Sequence, residues 1–333
     1  MTDDLVSTMR ALPKIDLHRH LEGAIRPATL ADICRSRHVP LPTYDPDELT
    51  DILCVKRRSE NLEGFLLPFK TIKFAFTDRE AIARIAYECV EDAHLDGIEY
   101  AEFRFSPEYM SFYHKLAMAD VLEGIAEGFA LAERHFPTRA RMIVSICRHC
   151  TSEILGFPWP TPDEVVQVAL DYRDRGVVGF DLSGVEAGFP PEPFARQFEQ
   201  AREAGLGITV HAGEDAGPES VRGAIEALGA TRIGHGVRIV QDPEVVRLVI
   251  DRGVTLEVCP TSNVQTHAVE SLEAHPIREL FDMGVKVTVN SDDPTVCGVT
   301  LSEEYELICE HFGFTPTEVE RLIRNAREAA FGI

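Results

Sequence analysis

The sequence predicts an α/β protein, a (β/α)8 TIM-type barrel with a helical insertion after the first strand. Three observations carry that expectation. Downstream of residue 95, short β-branched or apolar runs alternate with polar or Gly-rich turns and with longer stretches of helical periodicity. Counted along the whole chain, the candidate strands number eight, which is the number that closes a parallel sheet into a barrel. Histidines and carboxylates collect at the C-terminal ends of several of these strands, the rim on which barrel active sites are built. A doubly wound sheet is the alternative fold.

The series opens with IDLH (15–18), inside the stretch KIDLHRHLEG. From about Arg26 to Arg79 the chain is too long for a single crossover and reads as several short helices interrupted by NLEGFLLPFK. The remaining strands are IEYAEFRF (98–105), RMIVSIC (141–147), VVGFDLSG (177–184), GITVH (207–211), RIGHG (232–236), VTLEVC (254–259) and VKVTVNS (285–291). Helix-like segments such as PEPFARQFEQAREAG, PESVRGAIEALGA and DPEVVRLVIDRG lie between them, several ending at a Gly in the C-cap position. No linker, low-complexity tract or repeat beyond the βα unit interrupts the chain, so residues 1–333 are expected to form one domain.

Composition narrows the function. With 33 Lys and Arg against 55 Asp and Glu the formal net charge is −22, a balance that repels nucleic-acid backbones and anionic membranes. A small molecule is the expected partner; no nucleic acid, membrane or protein partner is implied. No run of 18 or more apolar residues suggests a membrane span. The start, MTDDLVSTMRALPK, lacks the apolar core and cleavage pattern of an export signal, which points to the cytoplasm. There the 8 cysteines are expected to remain thiols. Cys147 and Cys150 in CRHC make a poor structural zinc site without a second pair, and read as small buried side chains at a strand end.

His18 and His20 stand at i and i+2, so on a strand both imidazoles face one side. An isolated H-x-H is weak evidence of a metal site, but other strand ends supply company: His211 in HAGED, His235 in GHG, and Asp292 with Asp293 in NSDD. Three neutral imidazoles and a carboxylate suit one Zn2+ ion with a coordination position left for water. His18, His20, His211 and Asp292 are therefore the expected ligands. Zinc lowers the pKa of a bound water to around 7 and so supplies a hydroxide nucleophile. Glu214, three residues past His211, is placed to protonate a ring nitrogen, and His235 either orients the hydroxide or accepts its proton. Asp292 and Asp293 are expected to alternate in direction along the strand end, which frees Asp293 to hydrogen-bond a substrate.

Six motifs in order, LHRHLEG, DLSGVE, VHAGED, RIGHGV, EVCPTSN and VNSDDP, resemble the adenosine/adenine deaminase family of the amidohydrolase superfamily, which are zinc-dependent (β/α)8 barrels. FRFSPEYM and NSDDPTVCG look like the bacterial adenosine deaminases in particular. The resemblance covers nearly the whole chain from about Lys14. It implies zinc ligation by His18, His20, His211 and Asp292, protonation of purine N1 by Glu214, and orientation of the attacking hydroxide by His235. It also implies contacts of Asp293 with N7 and of the Gly184 N–H with N3, with His20 near the ribose 5′-hydroxyl and Phe65, in FLLPF, part of a helical lid over the pocket. Hydroxide addition to C6 and loss of ammonia would convert adenosine and 2′-deoxyadenosine to inosine and 2′-deoxyinosine.

One departure bears on the substrate. The family typically carries an Asp where this chain has Glu22, and the extra methylene moves the carboxylate by more than an ångström, enough to change a hydrogen bond. Adenine or a modified adenine nucleoside such as 6-aminodeoxyfutalosine is therefore the second substrate expectation. A nucleotide such as AMP ranks third, because no Arg/Lys cluster stands near the motifs to pair a phosphate. A catalytically inactive purine-binding barrel would lack a ligand or Glu214, and none is missing.

Overall fold

A computed structural model describes residues 9–333. The acidic first eight residues of the N-terminal stretch lie outside it. Eight parallel strands follow one another in sequence order: β1 (Lys14–His20), β2 (Ile98–Phe105), β3 (Arg139–Cys147), β4 (Val177–Ser183), β5 (Gly207–Ala212), β6 (Arg232–His235), β7 (Thr255–Val258) and β8 (Lys286–Val289). Each expected strand is present, so the barrel replaces the doubly wound alternative. Closure runs through a bridge between Arg19 and Asp292: the His20 N–H donates to the Asp292 carbonyl at 2.7 Å, and the Asp292 N–H donates to the His18 carbonyl at 2.8 Å.

The expected eighth strand stops early. Past Val289 the Asn290 N–H still donates to the Val258 carbonyl at 2.9 Å, but toward β1 it is the Asn290 side chain that pairs, accepting from the Leu17 N–H at 3.0 Å and donating to Thr288 Oγ1 at 3.0 Å. Asp292 has φ +59°, a left-handed conformation, so Asp292 and Asp293 do not alternate along an extended strand. They are splayed by a turn.

The interval after β1 holds short helices, Pro27–Ser36, Pro46–Leu53, Leu62–Phe65 and Phe69–Ile72, as expected. Asp45 and Asn61 cap two of them by accepting backbone N–H groups. The helices Pro218–Leu228 and Pro243–Arg252 end at Gly229 (φ +72°) and Gly253 (φ +64°), where a left-handed residue closes the last turn. The segment from Pro191 starts with a 3-10 turn and becomes α-helical only over Ala195–Glu203, because Pro191 and Pro193 withhold amide donors.

Outward strand residues bury against the helices, as where the Phe103 ring meets Phe129 at 5.1 Å and Phe180 meets Phe198 at 5.0 Å. The barrel interior is instead ionic. Arg104 reaches Glu257 (2.6 Å) and Asp181 (3.4 Å), while Arg232 reaches Glu257 (2.5 Å) and Glu102 (2.6 Å), all fully buried. Isolated, any of these charges would be strongly destabilising; paired in this lattice they cross-tie the inward faces of four strands and form a rigid floor. Beneath it, Phe331 seals the opposite mouth, stacked 3.6 Å from the Arg232 guanidinium, with its N–H donating to Glu102 at 2.6 Å. A Cβ on Gly207 would fall 2.2 Å from the Phe331 ring, so that strand start must be glycine. Among the described residues no helix is long and apolar enough to cross a membrane.

Candidate active site

At the C-terminal rim the four expected ligands converge. The rings of His18 and His20 lie 5.5 Å apart, and His211 on β5 stands 4.7 Å from the first and 5.2 Å from the second. His18 Nε2 is 3.2 Å from Asp292 Oδ1, His20 Nε2 is 3.4 Å from the same oxygen, and the Nε2 atoms of His20 and His211 are 3.2 Å apart.

The polarity of these rings is set from behind. His18 Nδ1 lies 2.9 Å from Glu257 Oε2, and His211 Nδ1 lies 3.1 Å from Asp181. Burial would raise both carboxyls, but Arg104 and Arg232 outweigh it at Glu257, and His211 and Arg104 do so at Asp181. Both are held below the usual carboxylate range. An ionised carboxylate only accepts, so each Nδ1 carries the proton and each Nε2 lone pair faces the centre. Burial also keeps His20 and His211 below their ordinary pKa, hence unprotonated. His18 Nε2 and Asp292 Oδ1 are buried without a hydrogen-bond partner. Acceptors facing acceptors in a buried space are costly unless a cation lies among them. The donor set of three imidazoles and one carboxylate therefore fits a divalent metal ion. Cys259 comes within the same cluster as His18, His235 and Asp292, but burial pushes its thiol pKa far up, which leaves it a neutral donor to the Glu257 carbonyl.

Glu214 sits on the loop after β5, and Glu186 builds that loop. Its carboxylate accepts the N–H groups of Gly213, Glu214, Asp215 and Ala216 at 2.7–3.0 Å. Burial, reinforced by the charges of Asp292 and Glu186, pushes the Glu214 carboxyl up to about 8. It is a protonated acid near neutral pH, and its Oε2 lies 3.4 Å from His235 Nε2. Asp293 is likewise raised, by burial first and then by Asp292 and Glu22. Its carboxyl crowds Gly23, where a Cβ would fall 1.7 Å from Asp293 Oδ1, so the Gly of HLEG lets the two loops touch. Glu22 lies in a 3-10 turn over Glu22–Ala24; its Oε1 accepts the Ser106 N–H at 2.8 Å, its Oε2 has no partner, and burial pushes it up to about 8.

These groups line one pocket of about 420 Å3, roofed by Phe65 from the insertion and walled by Gly184 after β4. The family model described as adenosine deaminase matches residues 13–332. The chain belongs to the adenosine deaminase family. It is a hydrolase acting on C–N bonds. An adenosine deaminase of Pectobacterium atrosepticum is 39% identical over 96% of this chain and 93% of its own. Among solved structures, the adenine deaminase of Arthrobacter aurescens aligns with a TM-score of 0.84 at 27% identity (96% of this chain, 94% of that one). A Burkholderia ambifaria amidohydrolase with bound Zn gives 0.85 at 29% (100% and 89%). The N6-methyl-AMP deaminase of Arabidopsis thaliana gives 0.83 at 28% (98% and 94%).

In this adenosine deaminase family member every residue singled out from the sequence reaches the pocket or the donor cluster behind it. Two expectations are corrected. Cys147 and Cys150 are not buried thiols: they are joined in a disulfide, half-exposed, and line the pocket with His149. Cations also stand near the motifs after all, since Lys70 and Lys73 line the pocket from the insertion. The residues missed were the supporting ones: Asp181, Glu186, Glu257, Asn263 and His275. A signal existed for two of them, because a lone acid inside an apolar parallel strand, as in VVGFDLSG and VTLEVC, has to find a buried partner.

Proposed function

We propose that the chain hydrolytically deaminates adenosine and 2′-deoxyadenosine to inosine and 2′-deoxyinosine plus ammonia, with one zinc ion held by His18, His20, His211 and Asp292. The observation that carries the reading is the convergence of three imidazoles and one carboxylate at the pocket floor beside a carboxyl, Glu214, kept protonated near neutral pH. Zinc in that set supplies the Lewis acidity that makes water nucleophilic near pH 7. The protein's own groups do the rest. Glu214 protonates N1 and so prepares C6 for attack. His235 orients the attacking oxygen. Asp293, protonated, donates to N7, and the Gly184 N–H meets N3. The free Oε2 of Glu22 is the group for a ribose hydroxyl, and Phe65 with the insertion excludes water. A volume of about 420 Å3 is in the range of drug-sized ligand sites, which supports a nucleoside over a bare base.

The second reading is deamination of adenine or of a modified adenine nucleoside such as 6-aminodeoxyfutalosine, favoured by Glu22 in place of Asp. Lys70 and Lys73 add a 5′-phosphate substrate to the comparison. The test is ammonia release by zinc-loaded protein from adenosine, 2′-deoxyadenosine, adenine, AMP and 6-aminodeoxyfutalosine. The first two should be turned over best. Strong preference for adenine or AMP overturns the substrate, and purine binding without ammonia release from any of them overturns the enzyme.

A further inference from the structure

Behind His235 a file of three buried polar groups leads away from the pocket to the backbone. The Ile277 N–H donates to His275 Nδ1 at 3.2 Å. A ring nitrogen that accepts carries no proton, and burial holds His275 down to about 3, so the neutral ring bears its proton on Nε2. That N–H faces Asn263 Oδ1 at 3.2 Å. With the Asn263 oxygen so identified, the other branch of the amide is Nδ2, which donates to His235 Nδ1 at 3.0 Å. His235 is thereby left with its proton on Nε2, aimed at Glu214 and the pocket. The orientation of an amide or imidazole is normally ambiguous. Here a main-chain N–H, which cannot reverse, fixes the polarity of the whole file.

We propose that Asn263 and His275 are positioning residues that hold His235 as an Nε2–H donor, so that His235 orients the attacking oxygen and never takes its proton. The proposal rests on the deaminase reading. Proton acceptance then falls to the Glu214 carboxylate left after N1 is protonated: as the O–C6 bond forms, the proton passes from the oxygen to Glu214 and on to the amino group, and the C6–N bond breaks to release ammonia. Nothing in the file is exposed; His235, Asn263 and His275 are 1%, 0% and 5% accessible, so water does not compete for these bonds.

The direct test needs no turnover. Histidine 15N spectra of the zinc-loaded wild type, with His235 assigned by a His235→Gln variant, should show a protonated Nε2 and an unprotonated Nδ1 on that ring. The reverse pattern overturns the proposal. Kinetics give an independent arm. Asn263→Asp is nearly isosteric but places an acceptor against Nδ1, which forces the proton there. Misplacing an imidazole's tautomer costs up to about 10^4-fold in a serine-protease triad, so kcat should fall at least about 100-fold with KM little changed. Asn263→Ala, which removes the donor without imposing the wrong tautomer, should lose less, at equal zinc content. An Asp variant as active as the Ala variant overturns the proposal. Should the Asp variant not fold, His275→Gln, which keeps a donor toward Asn263 Oδ1, should retain more kcat than His275→Leu; equal loss in the two counts against the relay. A wild type that deaminates nothing would refute the enzyme reading, while the spectra would still decide the tautomer.

Discussion

Glu214 owes its chemistry to its surroundings. A carboxylic acid in water is ionised at pH 7, but burial beside Asp292 and Glu186 keeps this one protonated up to about 8. The shift is upward, so the donor form is present below that value and is lost as pH rises through it. Turnover should therefore decline through about pH 8, and a pH–rate profile that stays flat to pH 10 would remove Glu214 as the acid. Glu214→Gln should keep zinc by metal analysis yet lose about 10^2–10^4 in kcat, the scale of a missing general acid. Full activity in that variant would refute the role. At this scale the proposed ligands were legible because His18, His20, His211 and Asp292 interrupt or end apolar runs, where such residues are conspicuous. Glu186, Asn263 and His275 were not, since each sits in a loop or short helix where a polar residue excites no suspicion.

Among elements, the strands and their order were readable from period and punctuation alone, whereas the close contacts between helices were not. The helix Met118–His135 lies against Arg79–Leu95, and Gly124 and Gly128 form the seam. A Cβ on Gly128 would fall 2.3 Å from the Ala83 carbonyl and 2.7 Å from the Ala86 Cβ. On propensity alone, Gly128→Ala gains about 1 kcal/mol. Overpacking costs typically 1–3 kcal/mol, and the nearest atom here is rigid backbone, so the net change should be destabilising by about 1–2 kcal/mol in urea unfolding. A more stable variant would show that the helices separate freely. The same limit explains the eighth strand: VKVTVNS keeps a β pattern through Ser291, and only the closure onto β1 turns Asp292 left-handed.

Across the whole molecule, the barrel is an ionic interior held between two lids, the helical insertion above and Phe331 below. Phe331 touches Gly179, Gly207 and Arg232 from three strands. Phe331→Ala should cost about 2 kcal/mol of unfolding free energy, less than a fully buried Phe because the ring is only half-buried, and should leave KM unchanged. A drop in affinity with stability intact would contradict that placement. The sequence by itself determined the repeating βα unit, the eight strands and the chemical identity of the rim, because periodicity and residue type are local properties. Only the tertiary structure decided which carboxylate fixes which imidazole, that Cys147 meets Cys150 at the pocket, and that Ile277 sets the proton on His235. The carboxylate–imidazole pairs and the Asn263–His235 bond join residues distant in sequence through a closure that no local pattern encodes, and the short-range Cys147–Cys150 and Ile277–His275 contacts depend on a local backbone path that residue type alone does not specify.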